Sequence, residues 1–300
     1  MELGIDRVRI KQAFARYVRQ YNAKDEKILL KIQHTYRVAE ISERIAVGLG
    51  MSEYDIDLAW LIGMLHDIGR FEQLRQYGTF VDADSIDHAQ FGVKLLFQDG
   101  LIREYVDGIC MGVDAENAGE LDGISISSGA EKTERVDRDF VDFTAGEIEK
   151  MMGDLQVIRI AIWNHSAYRI EEGLDERTLL FCKIIRDADK VDIFKVAYDT
   201  PLEVLYRCTR EEFQNAAVTP EVIQAYQEGH AVLRNLKKTP VDFLVGHIAL
   251  VFELEFPPSR KIAQEQGYIQ KLLSFQSDCQ ETIMVFEDMR RQMEEFLSEI

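Results

Sequence analysis

Positive charge is what this sequence has too little of. Its 300 residues hold 35 Lys+Arg against 53 Asp+Glu, for a formal net charge of −18. Such a chain offers no basic face to neutralise a run of phosphates, so a nucleic-acid polymer is not an expected partner. An anionic membrane surface is disfavoured for the same reason. A small phosphorylated substrate stays open, because a bound metal with one or two cations reverses the field locally. Long apolar runs are also missing. The longest are Leu58–Leu65 and Phe243–Phe252, the second interrupted by His247. Both fall well short of the ~20 residues of a membrane span. The N-terminal stretch carries Asp6, Arg7, Arg9 and Lys11 with no apolar segment behind them, so no signal peptide is expected. The four cysteines (Cys110, Cys182, Cys208, Cys279) form no CxxC pair. Neither a disulfide framework nor a thiolate metal site is expected, which suits a reducing compartment. No P-loop, GxSxG or HExxH pattern occurs. The expectation is a soluble cytoplasmic protein.

Proline is absent before Pro201 and occurs only there and at Pro220, Pro240, Pro257 and Pro258, so long helices can run unbroken through the first part. Apolar residues recur with a period of 3.6 and show no convincing alternation. One segment carries Val8, Phe14, Val18 and Tyr21. A second carries Ile28, Ile32, Val38, Ile41, Ile45 and Leu49, with Gly48 and Gly50 at its end. A third is N-capped by Ser52 and runs through Ile56, Ala59, Trp60 and Gly63 to Gly69. Further helices are predicted over 85–98, 101–111, 147–165, 175–198, 202–208, 220–236, 241–254 and 267–299. The fold class is all-α: a core over 1–200 and a C-terminal helical extension over 201–300 packed on it. Residues 113–142 break the pattern, with nine acids, three bases and a Gly/Ser-rich centre. They read as a solvated insertion between two core helices, with a lid as the functional alternative. The last segment spaces Leu272, Phe275, Cys279, Ile283, Phe286, Met289, Met293, Phe296 and Ile300 by threes and fours. This stripe packs on its own domain, a homodimer contact being the alternative.

Several polar residues stand where helical register calls for leucine. His34 is in step with Val38, Ile41 and Ile45; His88 with Phe91 and Leu95; His165 with Ile158 and Ile162. His66 closes the run LAWLIGML, and Asp189 follows Cys182 and Ile185. A lone inward histidine is usually a satisfied core imidazole. A buried carboxylate without a partner is far more costly. A shared cation accounts for all five together. In the doublet His66–Asp67 the two side chains diverge by ~100° on a regular helix. They converge if Gly69 ends that helix just beyond them. Imidazole with carboxylate and no thiolate suits a borderline-to-hard divalent ion: Mn, Fe, Co, Ni, Mg or Zn.

The order His34…His66–Asp67…Asp189, with the run LIGMLHDIGR, resembles the HD-domain superfamily of metal-dependent phosphohydrolases over roughly residues 28–200. The resemblance implies an HD-domain helical core, in which His34, His66, Asp67 and Asp189 are ligands of a first metal. His88 (in SIDHAQFG) and His165 (in IWNHS) match the additional histidines of binuclear members, where Asp67 is the natural bridging carboxylate. The GYP signature of the cyclic-di-GMP phosphodiesterases is missing, and Asn164 departs from their paired histidines. The implied function is metal-dependent hydrolysis of a nucleotide or other small phosphoester, with one or two divalent ions. A di-iron oxygenase and a catalytically idle nucleotide-sensing module are the alternatives. Arg70 and Arg37 are the candidate phosphate-binding cations beside the catalytic Asp67. Lys190 is expected to pair with a carboxylate, and Arg75 and His230 to lie on the surface. His247 reads as a core imidazole, and Asp187 and Asp192 as groups that orient Asp189.

Overall fold

In the computed structural model, which describes residues 2–107, 119–121, 124–126 and 145–298, the chain divides into two units. The first comprises 1–39 with 51–185, the second 40–50 with 186–300. Residues 40–50 and 186–200 thus group with the C-terminal hundred rather than with the core. No helix is long and apolar enough to cross a membrane among the described residues.

The first unit carries α1 (Arg7–Val18), most of α2 (Glu26–Gly48), α3 (Glu53–Leu65), α4 (Ile68–Tyr77), α5 (His88–Val93), α6 (Ala145–Asn164) and the start of α7 (Glu176–Asp199). Asp6 caps α1 by accepting from the N–H groups of Val8 and Arg9, and Ser52 caps α3 as its position predicts. The run Leu58–Leu65 is buried along its whole length. Phe14 meets Tyr36 and Phe71 edge-on at 5.5 and 5.8 Å. The buried Asp154 of α6 accepts from Tyr54 Oη of α3 at 2.5 Å and from Arg177 of α7 at 2.8 Å. This triangle fixes α3 against α6, the two helices whose C-terminal ends carry His66 and His165. An antiparallel hairpin, β1 (Gly119–Leu121) with β2 (Ile124–Ile126), is the only sheet among the described residues. It replaces part of the loop expected over 113–142; the rest of that segment, and Cys110, lie outside the described residues.

Two local departures from the sequence reading shape the site. The third helix ends at Leu65, and Asp67 (φ −105°, ψ 18°) leaves helical geometry between α3 and α4. Gly69 therefore does not stop a helix but sits inside α4. A Cβ there would collide with the carbonyl oxygen of His88 and lie 2.8 Å from Gly92 N, so the glycine lets the backbones of α4 and α5 touch. The stop comes at Gly78, in the left-handed region at φ 68°. Over 85–98 the helix is shorter than predicted: Asp87 caps α5, and the chain beyond Val93 widens so that Asp99 N reaches Lys94 O. Over 101–111 only a tight turn, Leu101–Glu104, forms within the described residues.

The second unit holds the ends of α2 and α7, then α8 (Leu202–Leu205), α9 (Arg210–Asn215), α10 (Pro220–Gln227), α11 (Pro240–Ile248), α12 (Pro257–Gln266), α13 (Tyr268–Leu273) and α14 (Gln280–Ser298). Proline opens α10, α11 and α12, where its missing N–H costs nothing. The helix predicted over 267–299 is broken between α13 and α14, where Ser277 Oγ and Asp278 N both donate to Gln214 O. Phe286, Met289 and Met293 are buried, and Tyr226 of α10 donates to the carbonyl of Met289, so the stripe packs within its own unit.

Candidate metal centre

Four helix ends and one helix face deliver the polar groups. Helix α2 supplies Lys31 and His34, the α3–α4 junction His66, Asp67 and Arg70, the first position of α5 His88, and the end of α6 His165. His34, His66, Asp67, His88 and His165 are each 5% exposed or less. Asp67 lies among them. Its Oδ2 stands 3.5 Å from His34 Nε2 and 3.6 Å from His66 Nε2, and its Oδ1 stands 3.4 Å from His88 Nε2 and 3.6 Å from His165 Nε2. Each carboxylate oxygen therefore faces its own pair of imidazoles. Within the pairs the Nε2 atoms are 3.3 Å (His34, His66) and 3.0 Å (His88, His165) apart. The convergence of His66 and Asp67 comes from the non-helical backbone at Asp67, not from Gly69.

The outward ring nitrogens fix the tautomers of three of the rings. His66 Nδ1 donates to Gly63 O at 2.7 Å, His165 Nδ1 to Ile162 O at 2.6 Å, and His88 Nδ1 to Asp82 Oδ2 at 2.8 Å. These partners only accept, so a neutral ring must carry its proton on Nδ1 and present a lone pair at Nε2. His88 and His165 then aim two lone pairs at each other across 3.0 Å, an arrangement that a cation between them relieves. The donors fit a divalent ion, and His66, Asp67 and His165 bring ligand atoms within 4.8 Å of one another.

Charge supports the same state. Burial pushes the Asp67 carboxyl up, but Lys31, His66, His165 and Arg70 together hold it well below the usual carboxylate range. Lys31 Nζ lies 2.6 Å from Oδ2 and Arg70 Nε 3.4 Å from Oδ1. Burial drives His88 down to about 4 against the pull of Asp82, so it stays neutral near pH 7. Asp82, though half-buried, is held at about 2 by its hydrogen bond and charge interaction with His88, aided by Arg70.

Asp82 and Lys31 were not singled out by the sequence reading. Asp82 stands six residues before His88 in VDADSIDH, and Lys31 one turn before His34. Arg70 Nη1 donates to Phe80 O and Asp82 Oδ1, each at 2.7 Å, and to Gln73 Oε1 at 2.9 Å. Gln73 Nε2 in turn donates to Asp82 Oδ1, Ser85 Oγ and Ile86 O. Arg70 is thus a brace for the segment that carries Asp82 as well as a neighbour of Asp67. Arg37 is half-buried on α2, one turn beyond His34. Arg75 is exposed and pairs with the buried Glu72, and His230 is exposed.

In the second unit, Asp189 is half-buried on α7. The Asp187 carboxylate accepts from the N–H groups of Glu255 and Phe256 and so anchors the entry to α12. Lys190 donates to the carbonyl of Glu253 rather than to a carboxylate. His247 Nδ1 pairs with Tyr206 Oη at 3.1 Å. Asn164, where paired histidines would continue, donates to Ile160 O and accepts from Glu171 N in the first unit, closing the turn after α6.

Residues 32–121 match the family model described as the HD domain. No curated protein and no solved structure matches the chain.

Proposed function

This chain belongs to the HD-domain superfamily of metal-dependent phosphohydrolases through its HD domain at residues 32–121, and on that premise we propose that it hydrolyses a small phosphoester, a nucleotide foremost, with one or two divalent cations. The observation that carries this reading is Asp67, whose two oxygens each face a separate pair of buried imidazoles. His34 and His66 on the Oδ2 side of Asp67, and His88 and His165 on the Oδ1 side, are the residues that would hold the cations, with the Asp67 carboxylate between the two pairs. Asp189 is assigned as a further ligand on the order of residues in the sequence. When bound, divalent cations there would supply a water of lowered pKa and a Lewis acid for a phosphoryl oxygen. Gly63 O, Ile162 O and Asp82 keep three of the rings aimed inward. Arg70 keeps Asp82 in place, and Arg37 is the further cation directed to the phosphate. The acidic composition fits a cytoplasmic enzyme of small substrates.

The test is metal analysis of protein purified without chelators, beside a screen of phosphomonoesters and diesters with Mn and Mg. Two ions per chain, falling to one in His88→Ala and in His165→Ala, with phosphate released by the wild type, are expected. Oxygen uptake by the iron-loaded protein without phosphoester turnover would assign an oxygenase instead. Nucleotide binding without turnover under any metal would assign a sensing module.

A further inference from the structure

Among the described residues, Lys31 is the charged group against Asp67 that the proposed metal centre leaves without a task. It stands on α2 one turn before His34, with its side chain 16% exposed, and its Nζ donates to Asp67 Oδ2 at 2.6 Å. That oxygen is the one facing the His34 and His66 rings. A divalent ion seated between those rings and the carboxylate needs the same lone pairs that the ammonium occupies. An ionised carboxylate this deeply buried is costly without a partner, so a chain that has yet to acquire metal requires some cation there. The Lys31 ammonium meets that need.

The surroundings of Lys31 say where it goes next. Its Nζ lies 5.7 Å from the centre of the Phe80 ring, and Arg70 Cζ lies 5.9 Å from the same ring. Arg70 is pinned by Phe80 O, Asp82 and Gln73. Lys31 has no such fork: it is a point charge on a flexible four-carbon stem with three donors, a chemistry suited to a phosphoryl oxygen. We infer that Lys31 is a resident counter-cation of Asp67 that gives up Oδ2 when a divalent ion binds and then serves as an ammonium ligand for the substrate phosphoryl group beside Phe80. The second half of this inference rests on the hydrolase reading; the first half does not.

Lys31→Met and Lys31→Arg separate this role from a merely structural ion pair. Calorimetric titration of chelator-stripped protein with Mn²⁺ reads the first half, and titration of the Mn-loaded protein with inorganic phosphate reads the second. Lys31→Met should bind Mn²⁺ about tenfold more tightly, the gain from losing one competing charge-assisted bond, and inorganic phosphate about tenfold more weakly. Lys31→Arg should recover most of the phosphate affinity. Mn²⁺ affinity in Lys31→Met that is unchanged or weaker overturns the inference, as does unchanged phosphate affinity. Thermal unfolding of both variants checks that the fold is kept, and Lys31→Arg carries the comparison if Lys31→Met does not fold. A wild type that binds Mn²⁺ but turns over no phosphoester sinks the hydrolase reading and leaves the Mn²⁺ comparison standing. An unmoved Mn²⁺ affinity does the reverse.

Discussion

Two buried aspartates, one in each unit, solve the same problem in opposite ways. Asp242, fully buried at the start of α11, accepts from the N–H groups of Thr219, Lys238 and Thr239 at 2.8–2.9 Å and from Thr219 Oγ1 at 2.6 Å. Asp67, 3% exposed, is surrounded instead by side chains: two cations and four imidazoles. Backbone donors cannot step aside for an ion, and side chains can. The first arrangement fastens the chain to itself; the second keeps a carboxylate ionised and exchangeable. A buried acid is therefore diagnosed as structural or chemical by what kind of donor surrounds it, more than by its depth.

The comparison breaks most visibly on paired substitutions. Asp67→Asn is expected to empty the centre of metal, read by elemental analysis, and to abolish turnover, with a loss of urea stability because Lys31 and Arg70 lose their counter-charge. Asp242→Asn is expected to leave metal content intact and to cost about 3 kcal/mol of stability, the order of a broken buried polar network. Exchanged outcomes would overturn the distinction. A smaller effect belongs to Asp82, which bonds to the proposed ligand His88. Asp82→Ala should weaken Mn²⁺ binding by roughly 10–100-fold in a calorimetric titration, since His88 loses the acceptor that orients it.

The smallest effect sharpens the contrast through the histidines. Burial holds both His88 and His247 at about 4, below their ordinary 6.5, with Lys237 adding to the depression at His247. The unfolded chain takes up the His247 proton first as pH falls. Its stabilising contribution is thus complete above about 6.5 and is lost as pH drops toward about 4. His247→Gln should flatten the stability–pH curve across that window by about one proton's worth of slope, with metal content unchanged. A curve of unaltered slope would show that His247 does not carry the acid sensitivity of the second unit.

The fold class and five residues of the cluster are legible in the sequence for a physical reason. A polar residue held in apolar register on a helix contradicts the helix around it, and His34, His66, His88 and His165 all do so. Asp67 is legible because it adjoins one of them. The backbone at Asp67 is not legible, because a glycine two residues on resembles a helix stop. The need for Gly69 comes instead from α5, far along the chain and invisible to local pattern. Asp82 and Lys31 were missed because neither interrupts a period: one lies in an irregular segment, the other on a polar face where lysine is ordinary. The break between α13 and α14 escaped notice because apolar spacing runs on through Phe275 and Cys279 while the turn is fixed by a distant carbonyl, that of Gln214.

The meeting of Gly69 with the His88 carbonyl and Gly92 has a consequence for how this centre can change over time. The distance from Asp67 to His88 is set by main chain resting on main chain, with no side chain to trim or lengthen. On the proposed reading, exchanging the imidazoles or the carboxylate can alter which ion is preferred. The gap between the two halves of the site can be retuned only by moving whole helices. Position 69 contributes no atom to the chemistry, yet it acts as the gauge block against which the centre is assembled.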